Sequence, residues 1–380
     1  MLTAGMDAMK DSHVQFLWRD EAAVCCFRAG VCLHGHTMFS RECLSFLPRY
    51  LHHVPGISQI VSRYERPRTG PAVDFARAYW TPPLSPATAL GLEQEQIRNL
   101  DLLPLVSITD HDDIEAGMAL QVTADRREVP VSVEWTVPYE ESILHLGIHN
   151  LPPHCNRAWM AAMAAYTSAP NEAYLPELLG AFAAVPEVLI VLNHPFWLEE
   201  GVRQPNHDRA LDRLLRECIA WIHAFELNGT RSWAENSAAA ALARAHSRPL
   251  ISGGDRHACE PAACINLTNA RTFSSFVSEI REGHSTILFL PQYREPMATR
   301  ILEAGWDVLR SYPEYPGRER WIDRVYYHGE DGVARPLSVI WQDEVPWMLN
   351  GAARTVELFA TTQLRSAIRV LLTQRGEILP

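Results

Sequence analysis

A chain of 380 residues that is 47% hydrophobic and 21% charged can bury a large core without staples, which excludes disorder, collagen and coiled coil as global descriptions. Its 34 Lys and Arg against 45 Asp and Glu leave a net charge of −11, making it a poor non-specific binder of nucleic acid or anionic membrane and a suitable host for divalent cations. No run reaches the ~18 apolar residues of a membrane helix, no signal-peptide core is visible, and eight cysteines without a CxxC pair read as reduced thiols, so a cytoplasmic protein is expected.

In chain order, short apolar runs alternate with helical stretches. Run one (23–33) ends at His34, run two (102–109) at Asp110 and His111, and run three (129–133) at Glu134. Run four (142–148) surrounds His145, run five (188–193) ends at His194, run six (221–227) near Asn228, and run seven (248–254) at Asp255. Such runs predict a parallel sheet built from βα units. Residues 207–222 place Leu211, Leu214, Leu215, Cys218, Ile219 and Ile222 on one helical stripe. Ser232 and Glu235 form a capping box ahead of 236–245, Gly283 stops a helix over 273–282, and 157–166 and 172–184 are further helices. Two segments break the rhythm: 41–100, rich in Pro, Arg and aromatics, reads as an insertion or lid, and 291–380 as a mainly helical extension with an apolar stretch over 350–373.

The polar residues fall where the apolar runs end, which is where parallel α/β folds build their sites. His34 and His36 are spaced to share one strand face, and Asp255 and His257 repeat that spacing. If the strands ring one axis, these four converge with His111, Glu134, His145 and His194. Imidazoles and carboxylates without thiolate suit Zn, Mn or Fe, and eight of them suit two or three ions.

The motifs HGHT (34–37), TDHD (109–112), VEW (133–135), HLG (145–147), NHP (193–195) and GDRH (254–257) resemble, in family order, the PHP (polymerase and histidinol phosphatase) metallohydrolases, in particular their stand-alone phosphoesterase branch. The resemblance covers about residues 28–290, with 41–100 inserted. It implies a distorted seven-stranded (β/α)7 TIM-like barrel over 1–290. It also implies that His34, His36, Glu134 and Asp255 hold one metal, and that Glu134 bridges to a second held by His145 and His194. His111 and His257 would face a third position. There Arg41 stands where the family often has an Asp; either Glu42 substitutes, or that position is weak or empty and Arg41 contacts a substrate phosphate. The implied reaction is hydrolysis of a small phosphate monoester or nucleotide by a metal-bridged hydroxide, with His257 or Asp255 assisting the leaving group.

Other residues carry weaker signals. Arg256 looks like a phosphate binder, but strand alternation points it away from Asp255 and His257. Arg203 and Arg231 read as surface charges, and Glu226 and Asn228 as structural hydrogen-bond partners. Trp135, Phe196 and Trp197 either wall a pocket or pack in the core, His149 is the rival of His145, and His52 and His53 read as solvated. Two alternative functions stay open. One is a phosphodiesterase or 3′–5′ exonuclease using Arg49, Arg63, Arg66 and Arg68 as a basic lip, which makes nucleic acid a possible but less favoured partner. The other is a non-catalytic metal-binding regulatory module. The oligomeric state is not legible.

Overall fold

The computed structural model describes residues 12–44, 77–123, 128–199, 201–260, 262–342, 345, 350, 351, 353 and 354. Its strands are β1 (Ser12–Phe16), β2 (Ala29–Cys32), β3 (Glu42–Cys43), β4 (Ala78–Trp80), β5 (Leu103–Val106), β6 (Val133–Tyr139), β7 (Ser142–His149), β8 (Leu189–Asn193), β9 (Ala224–Asn228), β10 (Leu250–Gly253), β11 (Cys264–Thr268), β12 (Ser285–Phe289), β13 (Val325–His328) and β14 (Ala334–Pro336). They sort into two five-stranded sheets, ordered β1-β12-β11-β2-β5 and β10-β9-β8-β7-β6, and a four-stranded sheet ordered β14-β13-β4-β3.

The expected seven-stranded barrel is therefore corrected: among the described residues no sheet closes on itself, and the strands are not uniformly parallel. Only Glu140 and Glu141 separate β6 from β7. A parallel crossover needs a dozen or more residues, so the two strands can only pair as a hairpin, with Tyr139 opposite Ser142 and Glu134 opposite Gly147. β11 likewise runs antiparallel to both β2 and β12. Among the described residues, the two large sheets are linked by isolated parallel bridges, Ile108–Val131, His111–Glu134 and Gly35–Arg256. The last two lie within the motifs and bring the sheet edges together there.

The helices are α1 (Pro86–Arg98), α2 (Glu115–Gln121), α3 (Asn156–Ser168), α4 (Leu175–Ala183), α5 (Gln204–Cys218), α6 (Trp233–Ala245), α7 (Phe273–Glu282), α8 (Met297–Leu309), α9 (Trp321–Arg324) and α10 (Leu337–Ile340). α5 buries Leu211, Leu214, Leu215 and Cys218 of the expected stripe but ends before Ile219. α6 has both halves of its capping box, and Gly283 closes α7 in the left-handed conformation at φ 97°. Residues 172–184 split into a 3-10 turn and α4. The 41–100 excursion does not stay irregular: Ser85 caps α1, whose Leu90 and Ile97 are buried in a core shared with β5's Val106. The 291–342 stretch contributes β13 and β14 as well as helices, while most of 350–373, along with His52, His53, Arg49, Arg63, Arg66 and Arg68, lies outside the described residues. Val31 of β2 packs with Val191, Ala224 and Ile251 of the other large sheet, and Phe273, Phe276 and Ile280 of α7 share that core. Among the described residues, no helix is long and apolar enough to cross a membrane.

Candidate metal centre

Glu134 is the point on which the motifs converge. It is fully buried on β6, beside the bridge to His111, and its two oxygens face different partners. Oε2 lies 2.8 Å from His34 Nε2, 3.4 Å from His36 Nε2 and 3.4 Å from His111 Nε2. Oε1 lies 3.0 Å from His194 Nε2 and 3.7 Å from His145 Nδ1, and accepts a hydrogen bond from Asn193 Nδ2 at 3.0 Å. Gly147 opposite makes room for this: a Cβ there would sit 2.9 Å from Asn193 Oδ1.

Asp255 turns Oδ1 toward His34 and His36, at 3.7 and 3.5 Å. Its Oδ2, on the side away from those histidines, accepts from Asn228, Thr230 and Arg231. Glu42 closes the opposite side, 3.5 Å from His111 Nε2 and 3.3 Å from His257 Nε2. Asp112, His194 and Asp255 all have positive φ, at 51°, 23° and 50°, a region L-residues avoid and one that clusters at functional sites.

Six imidazoles and three carboxylates thus share one buried volume. Ring centroids lie 4.3 Å apart for His36 and His257 and 4.8 Å for His36 and His111, and the Nε2 atoms of His34 and His36 are 3.1 Å apart. Nitrogens converging this closely, with no thiolate among them, fit a divalent cation between them. Among the described residues, four overlapping groups have metal-binding spacing: His34–His36–Glu134, His111–Glu134–His145, His36–Glu42–His111–His257 and His34–His194–Glu226.

The electrostatics follow from burial and crowding. Burial opposes charge on His34, but Glu134, Glu226 and Asp255 outweigh it and raise its pKa well above the usual imidazole range. Burial and the neighbouring His257 lower His36 to about 4. Burial likewise opposes charge on His257, yet Glu42 and Asp255 hold it up at about 10. Against burial, His34 and His111 keep Glu134 well below the carboxylate range.

The structure brings together His34, His36, Glu42, His111, Glu134, His145, His194, Asp255 and His257, and turns others away. Trp135 alternates away from Glu134 into the core and donates Nε1–H to Thr167 at 2.9 Å. Arg256 is buried on the far side of its strand end, paired with Glu93 and donating to Gln96. Arg41 is exposed, with its guanidinium over Tyr79. His149 is buried against Ser107, 2.9 Å from its hydroxyl. Trp197 is near the site, under the Arg231 guanidinium at 3.9 Å.

Two residues read from sequence as incidental belong to the site. Glu226 lies 2.6 Å from His34 Nδ1 and accepts from the His194 backbone N–H, so it holds the His34 ring and the main chain at His194; carboxylates behind metal-binding histidines hold rings in this way. Its signal was a carboxylate inside an otherwise apolar strand. Arg231 bridges Trp197 and Asp255, a tertiary relation that left no local pattern.

No family model and no curated protein matches this chain. Solved structures similar to parts of it include an amidohydrolase from Chromobacterium violaceum with sulfate bound and no metal (17% identity, TM-score 0.31, 46% of this chain and 83% of that one). They also include PsfC from Pseudomonas syringae (17% identity, TM-score 0.35, 54% and 84%). A third is a protein proposed to be a metal-dependent phosphoesterase from Bifidobacterium adolescentis (16% identity, TM-score 0.34, 53% and 92%).

Proposed function

We propose that this chain is a metal-dependent hydrolase of phosphate esters, acting on a small phosphate monoester or nucleotide, with a PHP-type ligand set. The observation that carries the reading is Glu134, each of whose oxygens faces its own set of imidazoles. Cations held there would polarise a phosphoryl oxygen and lower the pKa of water toward neutrality.

The remaining chemistry belongs to the protein. Its most accessible donors are His257 and His111, with side chains 25% and 17% exposed against 0% for Glu134, so substrate approaches from that rim. Arg231 stands on the other margin, held flat by Trp197 and oriented by Asp255, where a guanidinium can pair with phosphoryl oxygens. Asp255 is turned inward and engaged on both oxygens, which leaves His257 to protonate the leaving oxygen through Nε2 whenever that atom is not holding a cation.

The test is turnover of an aryl phosphate, nucleoside monophosphates and a single-stranded oligonucleotide with Mn²⁺ or Zn²⁺ added. A His34→Ala/His36→Ala protein should lose at least about a hundredfold in kcat, on the scale of losing the metal or the groups that support its ligands. Equal rates in the two proteins would refute the reading. Bound metal without turnover on the whole panel would point instead to a binding module.

A further inference from the structure

Glu42 joins His111 and His257, the two most exposed donors, at one rim of the cluster. We infer that residues 307–327, in the C-terminal part of the chain, are the positioning framework of this outer cation position and leave the inner donors to the two large sheets. The inference rests on the reading that the cluster binds cations.

Glu42 sits on a two-residue strand whose ladder partner is β4, with Glu42 opposite Trp80 and Cys43 opposite Tyr79. β4 in turn is held on its other side by β13, with Trp80 opposite Val325 and Ala78 opposite Tyr327. Leu44, Ala78 and Trp80 bury their side chains against Val308, Val325 and Tyr327, and Thr81 N–H donates to the Arg324 carbonyl at 2.9 Å. So short a strand has little pairing of its own, and its place depends on this packing.

His257 is held from the same direction. Two residues on, Cys259 N–H donates to Asp307 Oδ2 at 3.1 Å, and Arg310 reaches Cys259 Sγ at 2.9 Å. The Tyr312 hydroxyl donates to the Asp307 carbonyl at 2.8 Å and lies 3.7 Å from the same sulfur. The Trp80 ring stands 6.0 Å from the His257 ring. Arg324 locks the framework internally: it is 1% exposed and donates to the carbonyls of Val308, Arg310, Arg318 and Glu319. Among the described residues, none of the hydrogen-bond or ion-pair partners of His34, Glu134, His145, His194 or Asp255 given above lies in 307–327. One segment distant in sequence thus backs Glu42 and His257, not by direct bonds to them but through the strand that pairs with Glu42 and through Cys259.

Bound metal per chain is the readout, measured on full-length protein loaded with Mn²⁺ or Zn²⁺ and desalted. Glu42→Gln should lose about one equivalent relative to the parent. Asp307→Ala should lose the same equivalent while keeping the inner metal and an unchanged circular dichroism spectrum. Tyr312→Phe, which removes only the hydroxyl, should weaken that equivalent's retention and serves if Asp307→Ala does not fold. Full metal content in Asp307→Ala and Tyr312→Phe beside a deficit in Glu42→Gln would overturn the framework. An undiminished Glu42→Gln would overturn the outer position itself. A parent protein that binds no metal at all would instead overturn the proposed function.

Discussion

Glu226 reaches His34 and His194 from within β9, and the neighbouring strand has to give way to it. On β10, a Cβ added to Gly253 would sit 1.5 Å from Glu226 Oε1. Gly253→Ala must therefore displace the carboxylate that holds His34 and His194. Overpacking of this kind costs about 1–3 kcal/mol, and lost support behind a metal ligand costs about 10–100-fold in affinity. The expected result is a lower melting temperature together with weaker metal retention; a variant that melts lower but holds metal as tightly as the parent would show that Glu226 is not a support. The donor motifs are legible because all but His145, which lies inside its run, sit at the end of a local apolar run, where alternation alone decides which way a side chain points. That rule also turned Arg256 away from the cluster. It could not reveal Arg231, whose partners Trp197 and Asp255 lie on two other loops.

At the scale of elements, local signals and long-range pairing behaved differently. The helix over 233–245 was visible through Ser232 and Glu235 because a capping box needs only four consecutive residues, and both of its hydrogen bonds are present. Removing the cap in Ser232→Ala should cost about 1 kcal/mol. Chemical denaturation should detect that loss, and bound metal should not change, since the cap is part of no donor group. The barrel expectation failed at the sheets. Runs three and four read as separate βα strands, but the strand that starts at the end of run three continues to Tyr139, so only Glu140 and Glu141 join it to β7, and no pattern within β11 shows that it pairs antiparallel with β2. Strand direction and closure are set by partners far away in the chain, and alternation along one strand carries neither.

For the molecule as a whole, cations and protons compete for the same atoms. Burial opposes charge on His34, His111 and His257, but the surrounding carboxylates prevail and hold all three up, His257 at about 10. In the cation-free chain their charged forms contribute stability that is complete below the ordinary imidazole pKa of about 6.5 and is lost as pH rises toward about 10 for His257. Metal must displace those protons, so uptake should release acid into a weakly buffered solution at neutral pH, and apparent affinity should climb with pH. Chelation should lower the melting temperature, because anything that binds only the folded state stabilises it. Proton uptake on loading, or a melting temperature indifferent to chelator, would contradict this account.

The divided carboxylate of Glu134 carries a further consequence. Were a cation held on each side of Glu134, as proposed, fixing Oε2 against one would also fix the direction in which Oε1 points, and the first ion to arrive would prepay part of the ordering that the second requires. Loading would then be concerted, with half-filled molecules scarce, and the protein would pass from idle to competent over a narrow span of metal concentration.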